Sequence, residues 1–323
     1  MPEFDFAILH MLSRNRRGLT AKKTFLDRLA PVLFSPRVEH LIHFGDLGFK
    51  GCNVFLPLGP ENWQQLESAQ RGCMWKKSEG IMQDFAVTSL AADHRLRFAL
   101  QPGEAQFPLW FGDHFVKALA AVMVKYILEK RDVKRLILVG DMAALLPLLD
   151  HLGSCGLPIA VQNQHPSGDE AIAWRLLYER GWAISNSYIC PEKWQKGDLI
   201  VLFQPGFQRL AVTSPEVFWL ELTDEGRHLA PSLENALERA GMEAGLSILA
   251  PILESILYTK AGISYGNVEL QNLHFAPVIK TGADLTVLIE AGEKLGLWEP
   301  FRQGYGGGFL DNAIWGHYNT IKD

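Results

Sequence analysis

Asp113 and His114 are the neighbouring residues in this sequence whose types best suit proton transfer. A carboxylate can hold a proton in passing, and an imidazole changes charge near neutral pH. They follow Trp110-Phe-Gly112 and open a long segment with an apolar stripe. Adjacent residues on a helix do not face each other, so the two are not a dyad. Asp113 is the candidate catalytic acid–base group, and it also suits a helix N-cap. The second point of interest is Val139-Gly-Asp-Met142, where an apolar strand runs into a helix. A dinucleotide site there needs G-x-G-x-x-G, so that the backbone turns tightly and approaches a pyrophosphate. This turn holds one glycine, Gly140. Asp141 places a carboxylate where a phosphate wants N–H groups. Gly140, Asp141 and Met142 are candidate cofactor contacts, with an N-cap as the competing role for Asp141.

Asn163-Gln-His-Pro-Ser-Gly-Asp169 is unusually polar for a strand-to-helix turn. It reads equally as a ligand loop and as a solvated turn in which Ser167 or Asp169 caps the next helix. Gln162, Asn163 and Gln164 stand where a carboxylate would hold a ribose hydroxyl, so Asn163 joins the cofactor candidates. No metal site is expected: His40 and His43 point to opposite faces of a strand. None of the four cysteines forms C-x-x-C, which fits a reducing compartment. Gly306-Gly-Gly308 reads as a flexible tail, since no strand precedes it.

The net charge of −5 argues against binding nucleic acid through bulk charge. The basic run from Arg14 to Lys23 reads as a solvated helix face and its flanking loop. The acidic start excludes a signal peptide, and no apolar run is long enough to span a bilayer, so a cytoplasmic protein is expected. At 323 residues the chain suits two domains.

Elements that would position these groups follow from periodicity. Residues 5–34 suggest a helix or helix pair. Val38–Gly45 and Cys52–Pro57 read as strands, 60–71 as a helix, and Phe85–Leu90 and Leu96–Leu100 as strands. A long helix from Asp113 to Arg131 connects this part to alternating strands and helices. Those are strand 135–139, helix 142–152, strand 158–161, helix 169–180 ending at Gly181, strand 182–184 and strand 199–203. Such alternation implies a parallel sheet with right-handed crossovers, and short apolar strands imply cover on both faces. Helical runs occupy 231–258 and 282–296. The fold class is α/β: an N-terminal α/β domain (1–115), a Rossmann-like parallel-sheet domain (116–255), and a C-terminal helical extension (256–323).

Three segments resemble the shikimate/quinate dehydrogenase family. Gly48-Phe-Lys-Gly-Cys-Asn-Val-Phe-Leu-Pro57 is similar to its G-F-x-G-x-N-V-T-x-P segment, which leads into a substrate-binding lysine. Trp110-Phe-Gly-Asp113 takes the place of its N-T-D-x-x-G segment. Asp198-Leu-Ile-Val-Leu-Phe-Gln-Pro-Gly206 resembles the strand that ends in its N-x-T-P-x-G loop. The resemblance implies a substrate contact at Asn53 and cofactor contacts at Gln204, Pro205 and Gly206. The family's lysine position is Gly59 here, its S-x-S motif has no counterpart, and its glycine loop is missing. Two functions stay open. One is a small polar ligand bound in an interdomain cleft with NAD(P)-linked oxidoreduction, NAD or NADP being a possible cofactor that no glycine fingerprint supports. The other is a non-catalytic ligand sensor or assembly partner. A small-molecule ligand is expected, nucleic acid and membrane are not, and a homodimer is possible.

Overall fold

The computed structural model describes residues 3–100, 107–204, 217–223, 229–261 and 282–308. The chain does not begin with a helix. Strand β1 (Phe6–Met11) comes first, and α-helix is reached only in α1 (Lys23–Leu33). The reason is visible in the burial of β1. Phe6 and Ile8 enter one core while Ala7, Leu9 and Met11 enter another, so the strand is central and apolar on both faces. β2 (Arg37–Phe44) and β3 (Phe49–Leu56) form an antiparallel hairpin. Gly48 turns it at φ 73°, a left-handed conformation that favours glycine. Helices α2 (Pro60–Gln65) and α3 (Ser68–Asp84) replace the single expected helix, broken at Leu66. β4 (Leu90–Ala92) and β5 (Leu109–Trp110) complete a five-stranded sheet of order β2-β3-β1-β4-β5. Residues 96–100, expected as a strand, form a turn after a short 3-10 segment, His94–Leu96.

Helix α4 (Asp113–Lys130) crosses to the second sheet, as its apolar stripe predicts. There β6 (Arg135–Val139), α5 (Met142–Leu152), β7 (Ile159–Asn163), α6 (Glu170–Arg180) and β8 (Ser185–Tyr188) alternate. Gly181 ends α6 in the left-handed conformation. β9 (Asp198–Leu202) and β10 (Phe218–Glu221) follow. All five strands are parallel, in the order β10-β9-β6-β7-β8. Counted within this half the order is 5-4-1-2-3, the doubly wound Rossmann arrangement, and it reverses between β6 and β9. Leu136, Leu138, Val161 and Leu199 face a core shared with α4, α5 and α6. Ile137, Val139, Ile200 and Leu202 face the other way, onto Trp194 in the return from β8 to β9.

The end of the described chain is helical: α7 (Pro231–Arg239), α8 (Leu246–Ala261), α9 (Gly282–Lys294) and α10 (Glu299–Gly308). The glycines up to Gly308, expected as a flexible tail, close α10. One continuous core links the halves. Phe6, Ile8 and Trp110 of the first sheet, residues of α4 and α8, and Leu136 and Leu199 of the second sheet all belong to it. Among the described residues, no helix is long and apolar enough to cross a membrane.

Candidate functional site

The C-terminal ends of β4 and β5 converge on the start of α4. Gly112 makes this junction at φ 87°, and a Cβ there would lie 2.8 Å from Ala250 and Pro251 of α8, so only glycine fits. Asp113 is the first helical residue and does not cap the helix; Gly112 occupies the N-cap. The Asp113 carboxylate instead accepts from Arg97 at 2.5 Å. His94 lies 4.0 Å from the other carboxylate oxygen. The His94 Nδ1 is 2.9 Å from the Phe111 carbonyl, which can only accept, so Nδ1 donates and Nε2 is the ring's remaining position. One turn away, Asp93 caps the 3-10 segment through the Arg95 N–H at 3.0 Å. Its carboxylate also binds the Arg95 side chain at 2.7 Å, and Arg95 reaches Glu243 at 2.7 Å. The hydrogen bond to Asp93 raises the Arg95 pKa above its ordinary value.

His114, expected beside Asp113 at a cleft mouth, is buried instead. Its Nδ1 lies 3.1 Å from Glu254 of α8 and 3.3 Å from the Tyr258 hydroxyl. Glu254 is 1% exposed and caps α4 through the N–H groups of His114 and Phe115, at 3.2 and 3.3 Å. Lys117 sits one helical turn beyond Asp113, on the same side of α4. It makes no hydrogen bond or ion pair among the described residues. Burial holds its pKa below the ordinary lysine value, with Asp113 and Glu254 pulling the other way. Lys117 and Arg97 were missed in the sequence, although the i, i+4 spacing of Asp113 and Lys117 is a readable signal.

Asn53, expected to touch substrate, lies in β3 beside Ile8 and is 1% exposed. Its Oδ1 has no hydrogen-bond partner among the described residues. Gly59, where the resemblance places a lysine, leaves no room for a side chain. A Cβ there would stand 2.4 Å from the Asn15 Oδ1 and 2.7 Å from its Cα. The segment after β1 is tied down over this spot. Asn15 accepts the Glu61 N–H at 3.0 Å, and Arg16 donates to the Pro57 carbonyl at 2.7 Å. Arg16 also lies over the Phe34 ring, so part of the basic run is structural rather than a solvated face.

The strand order reverses between β6 and β9, and ligands of such sheets bind beyond the strand ends at that point. Gly140 and Gln204 follow these two strands. Gly140 is packed: a Cβ would lie 3.2 Å from Leu145 and 3.3 Å from Phe203. The Asp141 carboxylate accepts the Ala143 N–H at 2.9 Å and caps α5, and the Met142 side chain is buried. Asn163 turns inward: its Nδ2 donates to Asp169 at 2.5 Å and its Oδ1 accepts the His165 N–H at 2.8 Å. Gln162 accepts from the Trp194 indole at 3.0 Å. Pro205 and Gly206 lie outside the described residues. Two features of the described residues bear on a dinucleotide here. The helix end that would bind its pyrophosphate already has a carboxylate on it, and two of the three amides at the ribose position, Gln162 and Asn163, are bonded to protein groups.

Neither a protein-family model nor a curated protein matches the sequence. Solved structures resemble it distantly. L-tryptophan dehydrogenase from Nostoc punctiforme has 11% identity and a TM-score of 0.45, over 94% of this chain and 90% of that one. A chorismate mutase/shikimate 5-dehydrogenase fusion protein from Clostridium acetobutylicum has 13% identity and a TM-score of 0.31, over 92% and 99%. Shikimate 5-dehydrogenase from Thermus thermophilus, in complex with NADP(H) and shikimate, has 14% identity and a TM-score of 0.29, over 91% and 100%.

Proposed function

We propose that this chain keeps a dehydrogenase-like fold without nicotinamide chemistry, and binds a small polar ligand at the start of α4. The observation that carries this reading is the Asp141 carboxylate on the N-terminus of α5. A pyrophosphate brought there would meet like charge at about 1 kcal/mol or more and would have to displace a satisfied cap. The blocked side-chain position at Gly59 supports it from the other half of the site. The ligand-binding groups are then Asp113, His94 and Lys117. Arg95 and Arg97 are paired with acidic partners, so among the described residues at this junction Lys117 is the cation left for a ligand, and a small carboxylate is the favoured class. On this reading the protein is a cytoplasmic ligand sensor or assembly partner.

The test is a titration with NAD+, NADP+ and their reduced forms to millimolar concentration, followed by tryptophan fluorescence, beside a thermal-shift screen of small hydroxy acids. The dinucleotides are expected to give no saturable response. A hydroxy acid that binds the native state raises the melting temperature by mass action, and Lys117→Met removes that rise. A saturable response to any dinucleotide would overturn the reading and restore an NAD(P)-linked oxidoreductase with Asp113 as its acid–base group.

A further inference from the structure

A groove of about 370 Å³ opens between α6 and β8, at the free edge of the second sheet and away from Asp113. Its walls are fixed. The Asn186 Nδ2 of β8 donates to the Pro166 carbonyl at 2.5 Å, which ties the strand to the loop before α6. Asn163 and Asp169 brace that loop from inside at 2.5 Å. The size is within the range of small-molecule sites.

Two features set the chemistry of an occupant. The first is aromatic surface. Trp174 and Tyr188 line the groove, yet they are 56% and 64% exposed. Tyr178, 80% exposed, stacks on Trp174 at 5.7 Å and covers one face of the indole. The buried side of α6 is served by Ile172 and Leu176, so Trp174 and Tyr178 at i, i+4 form a second apolar stripe that faces solvent. Such a concentration of large apolar side chains marks a binding surface. The second feature is the polar lining: Glu170, the hydroxyls of Ser167 and Ser187, and Asn186. Asn186 has its Nδ2 engaged with the Pro166 carbonyl and its Oδ1 buried, so it shapes the groove wall. Among the described residues, no lysine or arginine lines the groove. Aromatic faces and a carboxylate favour a cation with N–H donors, and no lining side chain carries a positive charge to hold an anion.

We propose that the α6–β8 groove binds a small organic ammonium carried on an aromatic body. The ring lies against Trp174 and Tyr188, and the ammonium is held by Glu170.

Isothermal titration calorimetry on the full chain tests this with tyramine, with 4-hydroxyphenylacetate as the anion bearing the same ring, and with AMP as a phosphate-bearing base. Tyramine is expected to bind saturably at one site, at least tenfold more tightly than the other two. Glu170→Gln is expected to weaken tyramine binding about tenfold, and Trp174→Ala to abolish it. Both side chains are exposed, so melting temperatures are expected to stay unchanged. Absence of tyramine binding at millimolar concentration, equal or tighter binding of the anion or AMP, or unaltered binding in Trp174→Ala would overturn the proposal. Sedimentation closes the other route. A dimer that Trp174→Ala converts to monomer would show that a second copy covers the groove, and would overturn it too.

Discussion

Glu254 caps the first turn of α4 from 140 residues further along the chain, accepting the His114 N–H at 3.2 Å. The same carboxylate pairs with the His114 side chain at 3.1 Å, so one buried group satisfies the helix end and fixes its neighbour. This contact joins α8, which packs on the first sheet, to the helix that crosses to the second. Removing it leaves orphan N–H groups at the helix start and takes the carboxylate from the buried imidazole, which keeps the Tyr258 hydroxyl at 3.3 Å. Glu254→Ala is expected to cost about 1–3 kcal/mol for each buried N–H left without its acceptor. Glu254→Gln keeps an acceptor and is expected to cost less. Urea denaturation of the three proteins checks the order; equal midpoints would refute the capping role.

Asp141 caps α5 through the Ala143 N–H, and its side chain is exposed. Asp141→Ala is expected to lower stability by about 1 kcal/mol, as for a typical N-cap, with no change in the denaturant slope. Asp141→Ser keeps an N-cap acceptor without the charge and is expected to recover most of that loss. A fully stable Asp141→Ala protein would remove the structural account of this carboxylate and reopen its role as a ligand contact.

The centre of the second sheet was legible because β6 and β9 are short apolar runs set among helical periodicity, whereas β8, polar and largely exposed, lies at Ser185–Tyr188 instead of the expected 182–184, and β10 was not expected. Leu136–Val139 and Leu199–Leu202 could be little else than buried parallel strands. β1 was not legible. Phe6–Met11 is a short apolar run, and periodicity alone does not separate a buried strand from a helix at that length. Asp141 could be read both as a cap and as a ligand contact, and the geometry shows it capping. Glu254 was hidden for a different reason. Its meaning lies in a partner on another helix, and an acid within an apolar helical run carries no mark of what it bonds.

Cys52 lies in β3 with no exposed surface, and burial pushes its thiol up to about 12. The thiolate is the nucleophile, so Cys52 is expected to resist alkylation below that pH while the protein is folded. Cys73 is exposed on α3 and is expected to react readily. Cys190 is slowed for another reason: its hydrogen bond to Glu192, at 3.0 Å, raises its pKa. Mass-spectrometric mapping after iodoacetamide treatment at pH 8 should find Cys52 modified only in denaturant. Glu192→Gln should speed modification of Cys190. Rapid labelling of Cys52 in the native protein would contradict its burial between the sheet and α3.

Lys117 gives a pH dependence whose sign follows from its surroundings. Burial lowers its pKa in the folded chain below the 10.5 of an ordinary lysine, so between those two values the unfolded chain binds more protons. Stability then rises with pH across that window, and below it the buried ammonium costs its full desolvation penalty. Lys117→Met removes the charge and keeps the aliphatic stem. It is therefore expected to be more stable than the parent at pH 7, with the advantage shrinking as pH approaches 10.5. Denaturant midpoints of both proteins from pH 7 to 10.5 measure this difference directly, because every other titrating group is common to them. A parent protein more stable than Lys117→Met at neutral pH would mean that the ammonium has gained more from Asp113 and Glu254 than it lost on burial. Lys117 would then be a structural cation, and no longer the group left over for a ligand.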